Sequence, residues 1–154
     1  MNQNAYLKQY QKNKVETASK EDLFIMLFDA LVNFTKKARN AIEEKDIQKT
    51  HNNIVSAQNI LFEFINTLDH SVNPELAQRL QSLYHYNIQL LVKANIKKDL
   101  APIDEAIKLL TDLRDTWRQA VITAKKEMAA GTFDQPITYS NEPDGEYKSY
   151  EYDG

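Results

Sequence analysis

The chain is expected to fold as an all-α, antiparallel up-and-down bundle of four main helices, with an N-terminal arm and a disordered C-terminal tail. Three observations carry this expectation. The 154 residues include only 3 Gly and 4 Pro, and most of these breakers fall late in the chain. Apolar residues recur at helical spacing through four long stretches between residues 20 and 124. The links between those stretches are short, and short links force neighbouring helices to run antiparallel. The length suits one domain with a real core, and 42% hydrophobic with 27% charged residues is the composition of a soluble globular protein. The expected division is residues 1–18 as arm, 19–128 as bundle and 129–154 as tail.

Residues 1–18 are polar and extended in character, with Tyr6, Tyr10 and Val15 as isolated apolar groups. They read as an arm rather than a core element. The first helix is placed from about Lys20 to Glu44. Ser19 can serve as its N-cap, and Glu21 and Asp22 sit where the helix dipole favours negative charge. At about 100° per residue, Leu23, Leu27, Ala30, Phe34, Ala38 and Ala41 share one face, which reads as the core stripe. Ile25 and Val32 fall nearly opposite, with Phe28 beside them. A helix apolar on two sides is either sandwiched between layers or keeps a surface for a partner. The arm is the segment expected to cover that second surface. If the surface is superficial, Val32→Asp should leave the fold near native stability.

A very short connection at Lys45 leads to a second helix starting near Asp46. Ile47, Ile54, Leu61 and Leu68 repeat every seven residues, with Thr50, Ala57 and Phe64 between them, as in a bundle seam. Val55 and Phe62 lie off that seam and extend the apolar surface. After a loop at 69–73, Asn73 as N-cap and Pro74 at the first position open the third helix. Its stripe is Leu76, Leu80, Leu83, Leu90, Leu91 and Ala94. Asn87 lies within the stripe, where a buried amide most often fixes packing register. Residues 95–98 read as a link, Asp99 as the N-cap of the fourth helix, and Pro102 as acceptable in its first turn. Trp117 sits in the middle of that helix's stripe and reads as core.

From Ala129 the periodicity stops. Asp134, Glu142, Asp144, Glu146, Glu151 and Asp153 face Lys148 alone, so the tail carries about −5 and the rest about +2 of the net −3. Tyr139, Tyr147, Tyr150 and Tyr152 have no helical spacing. The segment reads as either a solubilising tail or a linear motif with aromatic anchors.

Composition and motifs narrow the function. The chain has no Cys, which removes disulfides, thiolate metal sites and thiol nucleophiles and fits a reducing compartment. It shows no signal-peptide core and no membrane-spanning run, so a cytoplasmic protein without membrane insertion is expected. The negative charge argues against nucleic acid as the main ligand. His51, His70 and His85 stand alone, without the Glu-x-x-His pairs of di-iron bundles or the spacing of zinc sites. No phosphate loop and no nucleophile elbow is present. A non-enzymatic binding module without cofactor or metal is the expectation.

Several segments fall in order along the chain: Tyr6-x-x-x-Tyr10, Asn13 with Val15-x-Thr17-Ala18-Ser19, Met26-Leu27-Phe28-Asp29 and Ile42-Glu43-x-Lys45-Asp46. They continue through Ala57-Gln58-Asn59-Ile60, Leu83-Tyr84-x-Tyr86, Ala94 to Asp99 and Leu109-Leu110-x-x-Leu113-Arg114-x-x-Trp117. Together, in this order and at these spacings, they resemble the flagellar secretion chaperone FliS family. Lys20, Phe28 and Ala30 depart from the family's usual Pro, Tyr and Gly, and the acidic tyrosine-rich tail has no counterpart in the pattern. The resemblance implies a cytoplasmic export chaperone that binds the disordered C-terminal segment of flagellin. It would prevent premature polymerisation and support delivery to the type III export gate. It also implies an arm that covers part of the surface until the client arrives. On this reading Tyr6, Tyr10, Val15, Ile25, Phe28, Val32, Val55 and Phe62 are the candidate partner contacts. The alternative is an adaptor bundle that self-associates through the same surface.

Overall fold

Each helix of the bundle starts at a side chain that caps it. Ser19 Oγ accepts from the Asp22 N–H (3.2 Å), Asp46 Oδ1 from Lys49 (3.0 Å), Asn73 Oδ1 from Leu76 (3.1 Å) and Asp99 Oδ1 from Ala101 (3.3 Å). Each satisfies a donor that a helix start leaves without an intrahelical partner. The computed structural model describes residues 3–17 and 19–131. Its helices are α1 (Gln3–Thr17), α2 (Lys20–Glu43), α3 (Ile47–Thr67), α4 (Pro74–Lys97) and α5 (Leu100–Ala129). The expected tail, apart from 129–131, lies outside the described residues.

The α2–α3 turn takes three residues. Lys45 adopts a left-handed conformation (φ 59°), its N–H donates to Ile42 O (3.1 Å), and the Asp46 N–H donates to Ala41 O (2.9 Å). This pair of bonds closes the end of α2 in a Schellman motif, with Asp46 already serving as the cap of α3. Lys98, also left-handed (φ 51°), ends α4 one residue before the Asp99 cap. Residues 95–97, read from the sequence as a link, are therefore the last turn of α4. Nothing between Ala94 and Lys97 breaks a helix, and the polar residues there mark only its exposed side.

α2 packs against α3 and α5, and α4 packs against the same two helices. The four form a ring with α2 and α4 on the diagonal, the expected up-and-down bundle. An aromatic cluster joins all four: Phe64 of α3 lies 4.8 Å from Phe24 and 5.0 Å from Phe28 of α2, and 5.6 Å from Tyr84 of α4. Trp117 of α5 meets Phe24 edge-on at 5.4 Å. Such pairs contribute beyond the apolar area they bury. Asn87 is fully buried; its Nδ2 donates to Leu83 O (2.9 Å) within α4, while its Oδ1 has no hydrogen-bond partner among the described residues, so the fully partnered amide expected from the sequence is only half realised.

Burial pushes the Tyr84 phenol well above its ordinary value near 10, partly offset by the neighbouring Trp117 side chain. The neutral form is thus favoured in the folded state. Its contribution to stability is full below about pH 10 and is lost as pH rises above that. Unfolding curves measured from pH 8 to 12 are expected to show a steeper alkaline loss for the native chain than for Tyr84→Phe.

Two expectations need correction. Residues 3–17 form a helix rather than an extended strip. The stretch contains no Gly or Pro and carries three Gln and three Lys, which favour helix without needing an apolar face. Tyr6, Leu7 and Tyr10 are exposed on it, and the Val15 side chain lies outside what the structure describes.

The second correction concerns α2. Phe28 and Val32 are fully buried, and Ile25 is half-buried. Asp22, Asp29 and Arg39 of α2 bond to Lys125, Arg118 and Asp104 of α5, and Ile25 lies on the same side of the helix as these three. Val32 is about 20° from Ile25 and Phe28 about 60°, nearer the bundle axis. The surface assigned to a partner is therefore the flank of α2 that meets α5. A helix with two neighbours in a ring buries a wide arc, and the two apolar sides seen in the sequence are the two flanks of that arc. Its centre holds Phe28, Leu31, Thr35, Ala38 and Ile42.

Candidate partner-binding groove

The seams of the bundle differ in chemistry. Where α2 meets α5, charges stitch the surface closed. Lys125 Nζ lies 2.6 Å from Asp22 Oδ1, Arg118 Nη2 2.8 Å from Asp29 Oδ1, and Arg39 Nε bonds to Asp104 Oδ1. Arg114 also reaches Asp29 (3.4 Å). Lys125 holds the Asp22 carboxyl below the usual carboxylate range; burial opposes this, and the Ser19 cap lowers it again. Where α4 meets α5, Tyr86 donates its phenol proton to Glu105, and this bond raises the Tyr86 pKa.

Among the described residues no ion pair joins α3 to α4. That seam is held by Asn95 Nδ2 and His51 Nδ1, 3.0 Å apart, while Lys98 Nζ donates to Asn95 Oδ1 (2.6 Å). With Oδ1 taken by Lys98, the Asn95 amide donates to the His51 ring.

This contact fixes the register of the two antiparallel helices. Counting out from it, Val55 of α3 stands about level with Val92 of α4, whereas Ile47 stands nearly a turn beyond the level of Ile96. All four are exposed, Ile47 by 68% and Ile96 by 77%. Phe62 continues the line two turns beyond Val55 and is 47% exposed. At about 100° per residue, Ile47, Val55 and Phe62 lie within about 40° of the His51 direction, on one outward-tilted side of α3. From Ile47 to Phe62 the line runs about 22 Å at 1.5 Å per residue. Asn52, Asn59, Gln78 and Gln89 are exposed on the same two helices and supply amide donors and acceptors with no net charge. The arrangement is a shallow apolar track with a neutral polar rim.

The candidate contacts from the sequence thus separate into groups. Val55 and Phe62 lie together on the α3–α4 track. Phe28 and Val32 belong to the core, and Ile25 to the α2–α5 seam. Tyr6 and Tyr10 are exposed on α1, away from the core. Ile47, Val92 and Ile96 were not singled out in the sequence. Ile47 read as seam by its heptad position, yet it opens α3 at the end of the bundle. Val92 and Ile96 sit about 150–170° from the centre of the Leu90–Leu91–Ala94 core stripe, close to half a turn, so they point outward from the bundle. Among the described residues no group of three or more His, Cys, Asp or Glu could hold a metal ion, and no helix is long and apolar enough to cross a membrane.

The ring of α2, α3, α4 and α5 places the chain in the class of all-α four-helix bundles. The chain belongs to the flagellar protein FliS family, whose family model matches residues 2–125. It is 37% identical to the flagellar secretion chaperone FliS of Bacillus subtilis over 118 residues, 77% of this chain and 87% of that one. Against the flagellar secretion chaperone FliS of Campylobacter jejuni it is 32% identical over 119 residues, 77% and 93% of the two chains. A solved structure described as a flagellar chaperone from bacteria shares the fold with a TM-score of 0.63 and 17% identity, over 79% of this chain and 99% of that chain. The match to the family model ends within α5, so residues 126–154 lie beyond it.

Proposed function

We propose that the chain is a cytoplasmic export chaperone that holds the disordered C-terminal segment of flagellin along the α3–α4 track. In this role it keeps flagellin from polymerising early and supports its delivery to the flagellar type III export apparatus. The observation that carries the reading is the apolar line through Ile47, Val55 and Phe62, faced by Val92 and Ile96, on a chain of the FliS family. A client that orders on binding loses conformational entropy and needs wide apolar contact in return. An amphipathic helical piece laid in a helix–helix groove supplies it through anchors spaced i, i+3/i+4 and i+7. Fully burying one side chain of this size contributes roughly 1.5–3 kcal/mol; Val55, Val92 and Phe62 are already partly covered, so each adds a fraction of that and the client needs several such contacts together to offset its ordering cost. The amide rim can bond to client backbone where it is not helical.

The test is a co-purification of the chain with flagellin and with flagellin lacking its C-terminal segment. A stoichiometric complex is expected with the first and none with the second. Equal binding to the truncated flagellin would remove the reading.

A further inference from the structure

Charge is unevenly shared among the helices of the ring. α2 carries eight Asp, Glu, Lys and Arg in 24 residues and α5 ten in 30, whereas α3 carries two in 21 and α4 four in 24. Placement sharpens the difference. Glu75, Arg79, Lys93 and Lys97 all lie about 100–140° around α4 from Val92, in one sense, on the flank where Tyr86 meets Glu105 of α5. Lys49 and Glu63 lie about 120–160° around α3 from His51, the residue that meets Asn95 of α4. Both helices thus turn every Asp, Glu, Lys and Arg they carry away from their shared outer side. Lys98, just past the end of α4, approaches the seam and is bonded to Asn95 Oδ1. What the face presents is Val55, Phe62 and Val92 with the amides of Asn59 and Gln89.

We infer that the track selects its client by the absence of charge. Its occupant is an uncharged amphipathic stretch with Asn, Gln, Ser or Thr beside its apolar anchors, and side-chain charges of either sign are excluded. The inference deepens the client reading above and rests on it. The physical reason is desolvation: a charge laid on this face gives up water and meets no opposite charge in return. Amides on the rim both donate and accept, so they pair with client amides and hydroxyls without favouring a sign. A face charged one way would recruit the opposite sign; a face with none discriminates by penalising both. The α2–α5 surface is the contrast, since its carboxylates, arginines and lysine would offer partners to either sign. Binding without charge also makes affinity insensitive to ionic strength.

Titration calorimetry of the full chain at about pH 8, where histidine is neutral, tests this with the flagellin C-terminal segment and two sets of its variants. In one set, uncharged polar residues beside the apolar anchors become Glu; in the other they become Lys. The unaltered segment is expected to bind with an affinity that changes by less than about threefold between roughly 50 and 500 mM NaCl. Both sets should bind about tenfold or more weakly than it, whichever the sign. Asn59→Lys with Gln89→Lys, both at exposed positions, should recover the Glu set and leave the Lys set weak. A larger salt dependence, tightening by one sign on the native chain, or failure of the two lysines to recover the Glu set would overturn the inference and leave the client reading standing. A free chain that sediments as a dimer, and as a monomer after Val55→Asp, would assign the face to a second copy and overturn it as well. No binding of the unaltered segment to the folded chain would instead remove the client reading, and the inference with it.

Discussion

Val32→Asp is expected to unfold the bundle or to lower its melting temperature by more than about 15 °C. Val32 is fully buried on the flank of α2 that meets α5. The substitution removes an apolar side chain whose burial contributes roughly 1.5–3 kcal/mol. It then leaves a carboxyl among apolar groups, where it must stay charged without a partner or take up a proton. Either way several kcal/mol more are lost. Domains of this size hold only about 5–15 kcal/mol in total, and each kcal/mol moves the midpoint by roughly 2–8 °C. Phe28→Ala, at the centre of the aromatic cluster, is expected to cost about 3–5 kcal/mol through lost contact and the cavity it leaves. Thermal unfolding followed by circular dichroism checks both. A near-native midpoint for Val32→Asp would return the residue to the surface and undo the account of α2 as a helix buried on both flanks.

The opposite pattern is expected on α3. Val55→Asp with Phe62→Asp should leave the melting temperature within a few degrees of the native chain, because exposed positions away from caps and networks change stability by about 0.5 kcal/mol or less. Binding of the flagellin C-terminal segment should weaken at least a hundredfold. Apolar anchors at the centre of an interface cost about 2 kcal/mol or more each when lost, and each 1.4 kcal/mol is a factor of ten. Titration calorimetry with the native chain and the double variant measures the ratio. Unchanged affinity with an intact fold would place the client elsewhere on the bundle.

The two sets of substitutions behave differently for a reason that α2 and α3 illustrate in sequence. Helical period, caps and short links are local, and they were legible: Ser19, Asp46, Asn73 and Asp99 each cap the helix expected of them. Which apolar flank faces solvent is a property of neighbours. Ile25 and Val32 on α2 and Val55 and Phe62 on α3 look alike in the sequence, since each pair stands off a regular stripe. α5 covers the first pair, and nothing described in the structure covers the second. Their apolar pattern does not separate them; the order of helices around the ring does. The charges did hold that information. Asp22, Asp29 and Arg39 recur on one side of α2, and each pairs with an opposite charge on α5, marking the seam that closes. α3 carries Lys49 and Glu63 alone, so its outer side has little charge to close with. The arm was misread for a related reason. α1 has no apolar stripe to announce it, and helix-favouring residues without breakers were the only signal.

The central claim is that the outer side of the α3–α4 seam, and not α2, receives the client. Methyl spectra of the native chain titrated with the flagellin C-terminal segment test it most directly. The account predicts shifts of the Val55, Val92 and Ile96 methyls at stoichiometric addition, with Val32 of α2 and Val121 of α5 unmoved in the core. Shifts confined to α2 and α5, with Val55 and Val92 unchanged at saturation, would contradict it.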